Sequence, residues 1–238
     1  MIVFLGWSHS GKERAKALEK FLLACFKKGV TVNISTGLPK GSDWSDALFR
    51  QLKESNFGIM CLTPDSDSAW LCYEAGILTS LGAPVAPLLF TMSSAFPLPP
   101  PLAQKQETRF TKEEIRKLTD DIYDNFNLND LINWDTYQTS FEMAWPEFAE
   151  TVEKLTEEYR MANFKADLKA LCAPENAGEY GEWASKRGEA LVILLNDNAL
   201  PLRSKANELQ AYMDELRKYE SKNPLFAPLR SKLERLVL

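Results

Sequence analysis

Phe57-Gly58-Ile59-Met60-Cys61-Leu62-Thr63-Pro64 is the stretch that decides the fold. Six residues pass without a charge before Thr63-Pro64 ends the run. So short and uniformly apolar a run predicts a strand buried on both faces. Downstream, Ser68 or a near neighbour caps a helix that runs to about Ser80, and Pro84 to Phe90 reads as another buried strand. Upstream, Met1 to Leu5 is a first strand ending at Gly6. Lys12 to Lys28 carries Ala15, Leu18, Leu22 and Phe26 near helical spacing, and Gly29 is placed to stop it in a left-handed cap. Val30 to Ile34 is a second strand. Asp43 to Glu54 is a helix with Trp44, Leu48 and Leu52 at i, i+4 and i+8.

Four such strands alternating with helices predict an α/β fold with a parallel sheet covered on both sides. Ligands bind such sheets beyond the carboxyl ends of the strands. The loops at 6–11, 35–42 and 63–69 all leave carboxyl ends and are expected on one rim. Thr91 to Phe110 contains Pro97, Pro99, Pro100 and Pro101, and is expected to be a non-helical surface connection. Thr111 with Glu114 forms a capping box, and helical patterns then run to Tyr159. Trp145-Pro146 marks a kink or a helix start.

Beyond Tyr159 the texture changes. Arg187 to Asn196, Pro201 to Tyr219 and Leu225 to Leu238 read as helices, and no strand alternation is evident. Lys and Arg number 15 against 22 Asp and Glu over residues 1–159, and 13 against 11 over 160–238. This divides the chain into 1–159 and a helical region 160–238, the latter an appendage or a partner-binding or self-assembly module. The whole chain of 238 residues is 45% hydrophobic with a net charge of -5, a poor match to a nucleic-acid binder that must neutralise phosphates. No apolar run approaches the ~20 residues of a membrane span, and the opening Met1 to Leu5 is too short for a signal-peptide core. A cytoplasmic protein is expected. The four cysteines form no CxxC pair and His9 is the one histidine, so no metal site is indicated.

The candidate chemistry lies in Trp70-Leu71-Cys72-Tyr73-Glu74-Ala75-Gly76. Trp70 and Glu74 share a helical face one turn apart, at the start of a helix just beyond the third strand. Apolar neighbours would raise the Glu74 pKa by desolvation, although spacing alone also allows an ordinary helix glutamate. Gly6-Trp7-Ser8-His9-Ser10-Gly11 is a polar turn leading into a helix, with the look of a phosphate cradle but without a P-loop pattern. His9 either touches a ligand or holds the loop.

These residues resemble the TIR (Toll/interleukin-1 receptor) domain family. Phe4-Leu5-Gly6-Trp7-Ser8-His9 is similar to its opening strand and loop, and Leu38-Pro39-Lys40-Gly41-Ser42-Asp43-Trp44 to its BB loop. Gly58 to Pro64, followed by Trp70 and Glu74-Ala75-Gly76, is similar to the third strand and catalytic helix of free-standing bacterial TIR proteins. The likeness covers roughly residues 1–155. It departs at Gly6-Trp7, where Ser-Tyr or Ser-His is commoner. The resemblance implies a flavodoxin-like fold and cleavage of NAD at the nicotinamide–ribose bond, in the setting of anti-phage defence. Glu74 falls on the catalytic glutamate and Trp70 on the Trp of the Trp-x-x-x-Glu motif.

With NAD as substrate and no cofactor, Trp7, Ser8, His9, Thr36, Trp44, Trp70 and Tyr73 are the candidates to contact it, although Trp44 also reads as a core anchor. The resemblance further implies stacking of TIR domains into an oligomer, the loop over 36–43 of one subunit completing its neighbour's pocket. Two other readings stand beside this one. A non-enzymatic TIR adaptor would act by assembly, and a nucleoside deoxyribosyltransferase-like enzyme would use a similar sheet and a Glu nucleophile.

Overall fold

The computed structural model describes residues 1–35, 44–63, 66, 68–90, 98 and 100–172. Among these residues five strands form one all-parallel sheet in the order β2-β1-β3-β4-β5. They are β1 (Ile2–Trp7), β2 (Thr31–Ile34), β3 (Phe57–Leu62), β4 (Val85–Leu89) and β5 (Thr108–Arg109). Every residue of β3 and β4 is buried, as their unbroken apolar composition requires. β5 has two residues, too short to carry an alternation, and was not among the four strands expected.

The α-helices among the described residues are α1 (Gly11–Phe26), α2 (Trp44–Glu54), α3 (Ser68–Ser80), α4 (Pro100–Ala103), α5 (Lys112–Asn125) and α6 (Trp134–Cys172). Side-chain alternation along the strands sorts the core into two layers. Val3, Leu5, Ile59 and Cys61 meet α1, α5 and α6. Phe4, Met60 and Leu62 meet α2, α3 and α4. A Cβ at Gly58 would lie 2.4 Å from Leu78 Cδ1, so α3 packs directly against the backbone of β3.

Three local expectations need correction. α1 ends at Phe26, and Lys27, not Gly29, takes the positive φ of 51°, with Gly29 buried in a following 3-10 turn. The proline-rich connection is not wholly non-helical. Pro100 opens the single turn α4, where the first N–H groups have no helical partner to lose. It is not wholly on the surface either, because Leu102 is fully buried among the α2 and α3 side chains. Finally, Pro146 starts no helix: α6 begins at Trp134 and contains it. Trp145 stacks on Phe141 at 6.0 Å between ring centroids and meets Phe21 and Phe148 edge-on. This packing holds the segment helical against the local penalty of the proline.

The capping box forms as read, with the Glu114 N–H donating to Thr111 Oγ1 at 3.2 Å. The chain divides into two compact units, Met1–Leu155 and Thr156–Leu238. The helices expected at 187–196, 201–219 and 225–238 lie outside the described residues. Among the described residues no helix is long and apolar enough to cross a membrane.

Candidate active site

The sheet order places β1 and β3 side by side with their connections leaving in opposite directions. This is the topological switch point, where a cleft opens beyond the carboxyl ends. In register, Gly6 pairs with Met60 and Trp7 with Cys61. α3 follows β3 immediately and carries Glu74 back against this point.

Glu74 is fully buried. Trp70 Nε1 donates to its Oε1 at 3.0 Å, the contact their four-residue spacing allows. Oε2 is buried without a hydrogen-bond partner. Burial pushes the carboxyl up to about 8, against the opposing pull of the Trp70 hydrogen bond. Cys61 on β3 is also raised, first by burial and then by the nearby Glu74. Close above the carboxyl lies Gly6, where a Cβ would stand 2.6 Å from Oε2 and 2.7 Å from Met60 Sδ.

Tyr73 is half exposed and lies against Trp70, with ring centroids 5.4 Å apart. Trp70, Tyr73 and Glu74 thus form one group on α3, with a buried acid at one end and an open aromatic surface at the other.

The other candidates are dispersed. Trp7 lies on the opposite face of the sheet from Glu74, packed at the α1 side, with Lys12 Nζ 5.8 Å from its ring centroid. Its Nε1 is buried without a partner. Ser8 is buried in the turn into α1, where its carbonyl accepts from the Gly11 N–H at 2.8 Å. His9 is exposed with φ 46°, a shaping residue of that turn. Thr36 lies outside the described residues, as does the loop over 36–43. Trp44 is the first residue of α2, and its side chain lies outside what is described.

Two residues that the sequence reading passed over shape this rim. Thr63 is fully buried, and its N–H donates to Ser66 Oγ at 2.8 Å, closing the turn after β3. Arg14 is buried, with Nη1 donating to the Ser10 carbonyl at 2.9 Å and Nη2 to the Leu155 carbonyl at 3.1 Å. A buried arginine amid the apolar positions of α1 was the available signal. A separate groove of about 320 Å³ between α1 and α6 has Phe21 and Phe148 in its wall and lies on the face away from Glu74.

A parallel α/β sheet in the order 2-1-3-4-5, with an acid beside its switch point, defines the class as flavodoxin-like. The family model for the TIR domain matches residues 3–122, just over half of the chain and all of the sheet but Ile2. The chain belongs to the TIR-domain family. No curated protein matches it.

Proposed function

We propose that this chain is a NAD glycohydrolase acting at the nicotinamide–ribose bond, with Glu74 as its catalytic residue. The observation that carries the reading is a buried carboxyl at the switch point, held by Trp70 through one oxygen and unpartnered at the other. The nicotinamide of NAD is a pyridinium and departs as a neutral base, so no general acid is needed. The ribosyl centre left behind is oxocarbenium-like, and a carboxylate in a dry site stabilises that charge. A cation bound beside Glu74 also favours its ionised form, offsetting the burial that holds the proton on. Trp70 and Tyr73 offer aromatic surface to a flat ring.

Water or an internal hydroxyl then captures the ADP-ribosyl group. Capture by water depletes NAD, and capture by another acceptor makes a nucleotide signal. Both outcomes fit a role in bacterial anti-phage defence. No metal and no cofactor enters either step. Activity depends on an oligomer in which TIR domains stack and order residues 36–43, and residues 160–238 engage a partner or a further copy.

One observation favours a second reading. A fully buried acid bonded to its own helix is also what a structural residue looks like, and an adaptor that acts by assembly would need no more. Chromatographic resolution of the products from NAD, beside a parallel incubation with a deoxynucleoside, separates the readings. Nicotinamide with ADP-ribose or a cyclised product is the expected result. Base exchange on the deoxynucleoside would identify a deoxyribosyltransferase, and an inert protein at every concentration would favour the adaptor.

A further inference from the structure

Gly6 lies within β1, one residue before its end, in ordinary strand backbone, unlike Gly82, which needs its positive φ of 82°. No conformational demand therefore calls for glycine at position 6. Space does. A Cβ there would stand 2.6 Å from Glu74 Oε2, 2.7 Å from Met60 Sδ and 3.2 Å from Met60 Cε. The Glu74 carboxyl occupies room that exists because residue 6 has no side chain. Met60 pairs with Gly6 in register and forms the other wall. The acid is fully buried there, out of reach of any dinucleotide, and Oε2 finds no donor. An unpaired buried acceptor favours leaving such a place.

We propose that Gly6 and Met60 form a niche in which the Glu74 carboxyl is parked, and that Glu74 must swing out of it toward the rim to meet substrate. This rests on the reading of Glu74 as the catalytic residue. Gly6 is a positioning residue: it touches no substrate and acts through the carboxyl it admits. Both atoms that a new Cβ would strike are the ends of flexible side chains, so a small side chain at position 6 displaces the acid and leaves the strand in place. The electrostatics of the niche are simple. β3 contributes the Cys61 thiol, which couples to Glu74. β1 contributes Gly6, and α3 contributes Trp70; neither titrates.

The test is a carboxyl-carbon NMR titration of the full chain labelled with 13C-glutamate, with Glu74 assigned by its loss in Glu74→Gln. The parked acid titrates far above the ordinary carboxylate range. In Gly6→Ala its midpoint should fall by at least one pH unit, a tenfold loss of proton affinity. A folded Gly6→Ala protein with an unchanged midpoint would overturn the proposal. If Gly6→Ala does not fold, Gly6→Ala/Glu74→Ala should recover the fold, because the struck carboxyl is gone, and failure of that rescue would equally overturn it. The titration needs no turnover, so it stands apart from the NADase reading. A lowered midpoint without nicotinamide release by either protein would keep the niche and remove the function, whereas release with its pH limb moved down in Gly6→Ala would support both.

Discussion

Glu74 keeps its proton to about pH 8 because water is excluded around it and the Trp70 indole offers its charged form a single hydrogen bond. Its folded-state pKa lies above the unfolded one, so the native state binds more protons across the interval between them. Stability therefore falls as pH rises from about 4.5 to about 8. Glu74→Gln removes this dependence. Between pH 5 and pH 9 the variant should gain on the wild type by on the order of 3 kcal/mol, at about 1.4 kcal/mol per pKa unit. Urea unfolding at the two pH values checks this, and parallel curves would show that Glu74 titrates normally. On the proposed reading, nicotinamide release should also climb as pH rises toward 8 and the carboxylate forms. The Trp70–Glu74 pair was legible from spacing alone. The depth of its burial was not, because that depends on how closely α3 lies on β3, which Gly58 and Leu78 decide from different elements.

Individual elements show where local signals hold and where packing overrides them. The Thr111 cap was readable because both partners lie within four residues, and it forms. Thr111→Ala should lose about 1 kcal/mol in denaturant unfolding. A loss below about 0.3 kcal/mol would mean that the end of α5 is held by its tertiary contacts instead. Pro146 and Pro100 went the other way. Pro146 was read as a kink or a helix start and Pro100 as part of a non-helical stretch, yet one sits within α6 beside the ring stack of Trp145 on Phe141 and the other opens α4. The separation of Trp7 from Glu74 was available in principle. Gly6 and Trp7 are consecutive in a strand and must face opposite sides of the sheet. Reading their loop only as part of a shared rim concealed this.

Across the molecule, the alternation of buried strands and amphipathic helices settled the parallel α/β architecture. Each strand was long enough to show as a short apolar run except β5. The family match over residues 3–122 covers that same sheet. Long-range ties were not legible. Arg14 joins the turn after β1 to the Leu155 carbonyl 141 residues away. The bonds to the Ser10 and Leu155 carbonyls are partly buried and charge-assisted, each worth about 1.5–3 kcal/mol. Arg14→Leu should lower the melting temperature by several degrees and loosen the turn at Ser8 to Ser10, which amide hydrogen exchange would detect. Unchanged protection there would show that the turn holds without Arg14.

The central claim is that Glu74 cleaves NAD, and the direct measurement is nicotinamide release by purified protein across a concentration series, beside Glu74→Gln at matched concentrations. The account predicts release by the wild type that rises more steeply than protein concentration, as assembly requires, and at least a hundredfold less from the variant. Equal release by both proteins would contradict it and leave Glu74 a structural acid.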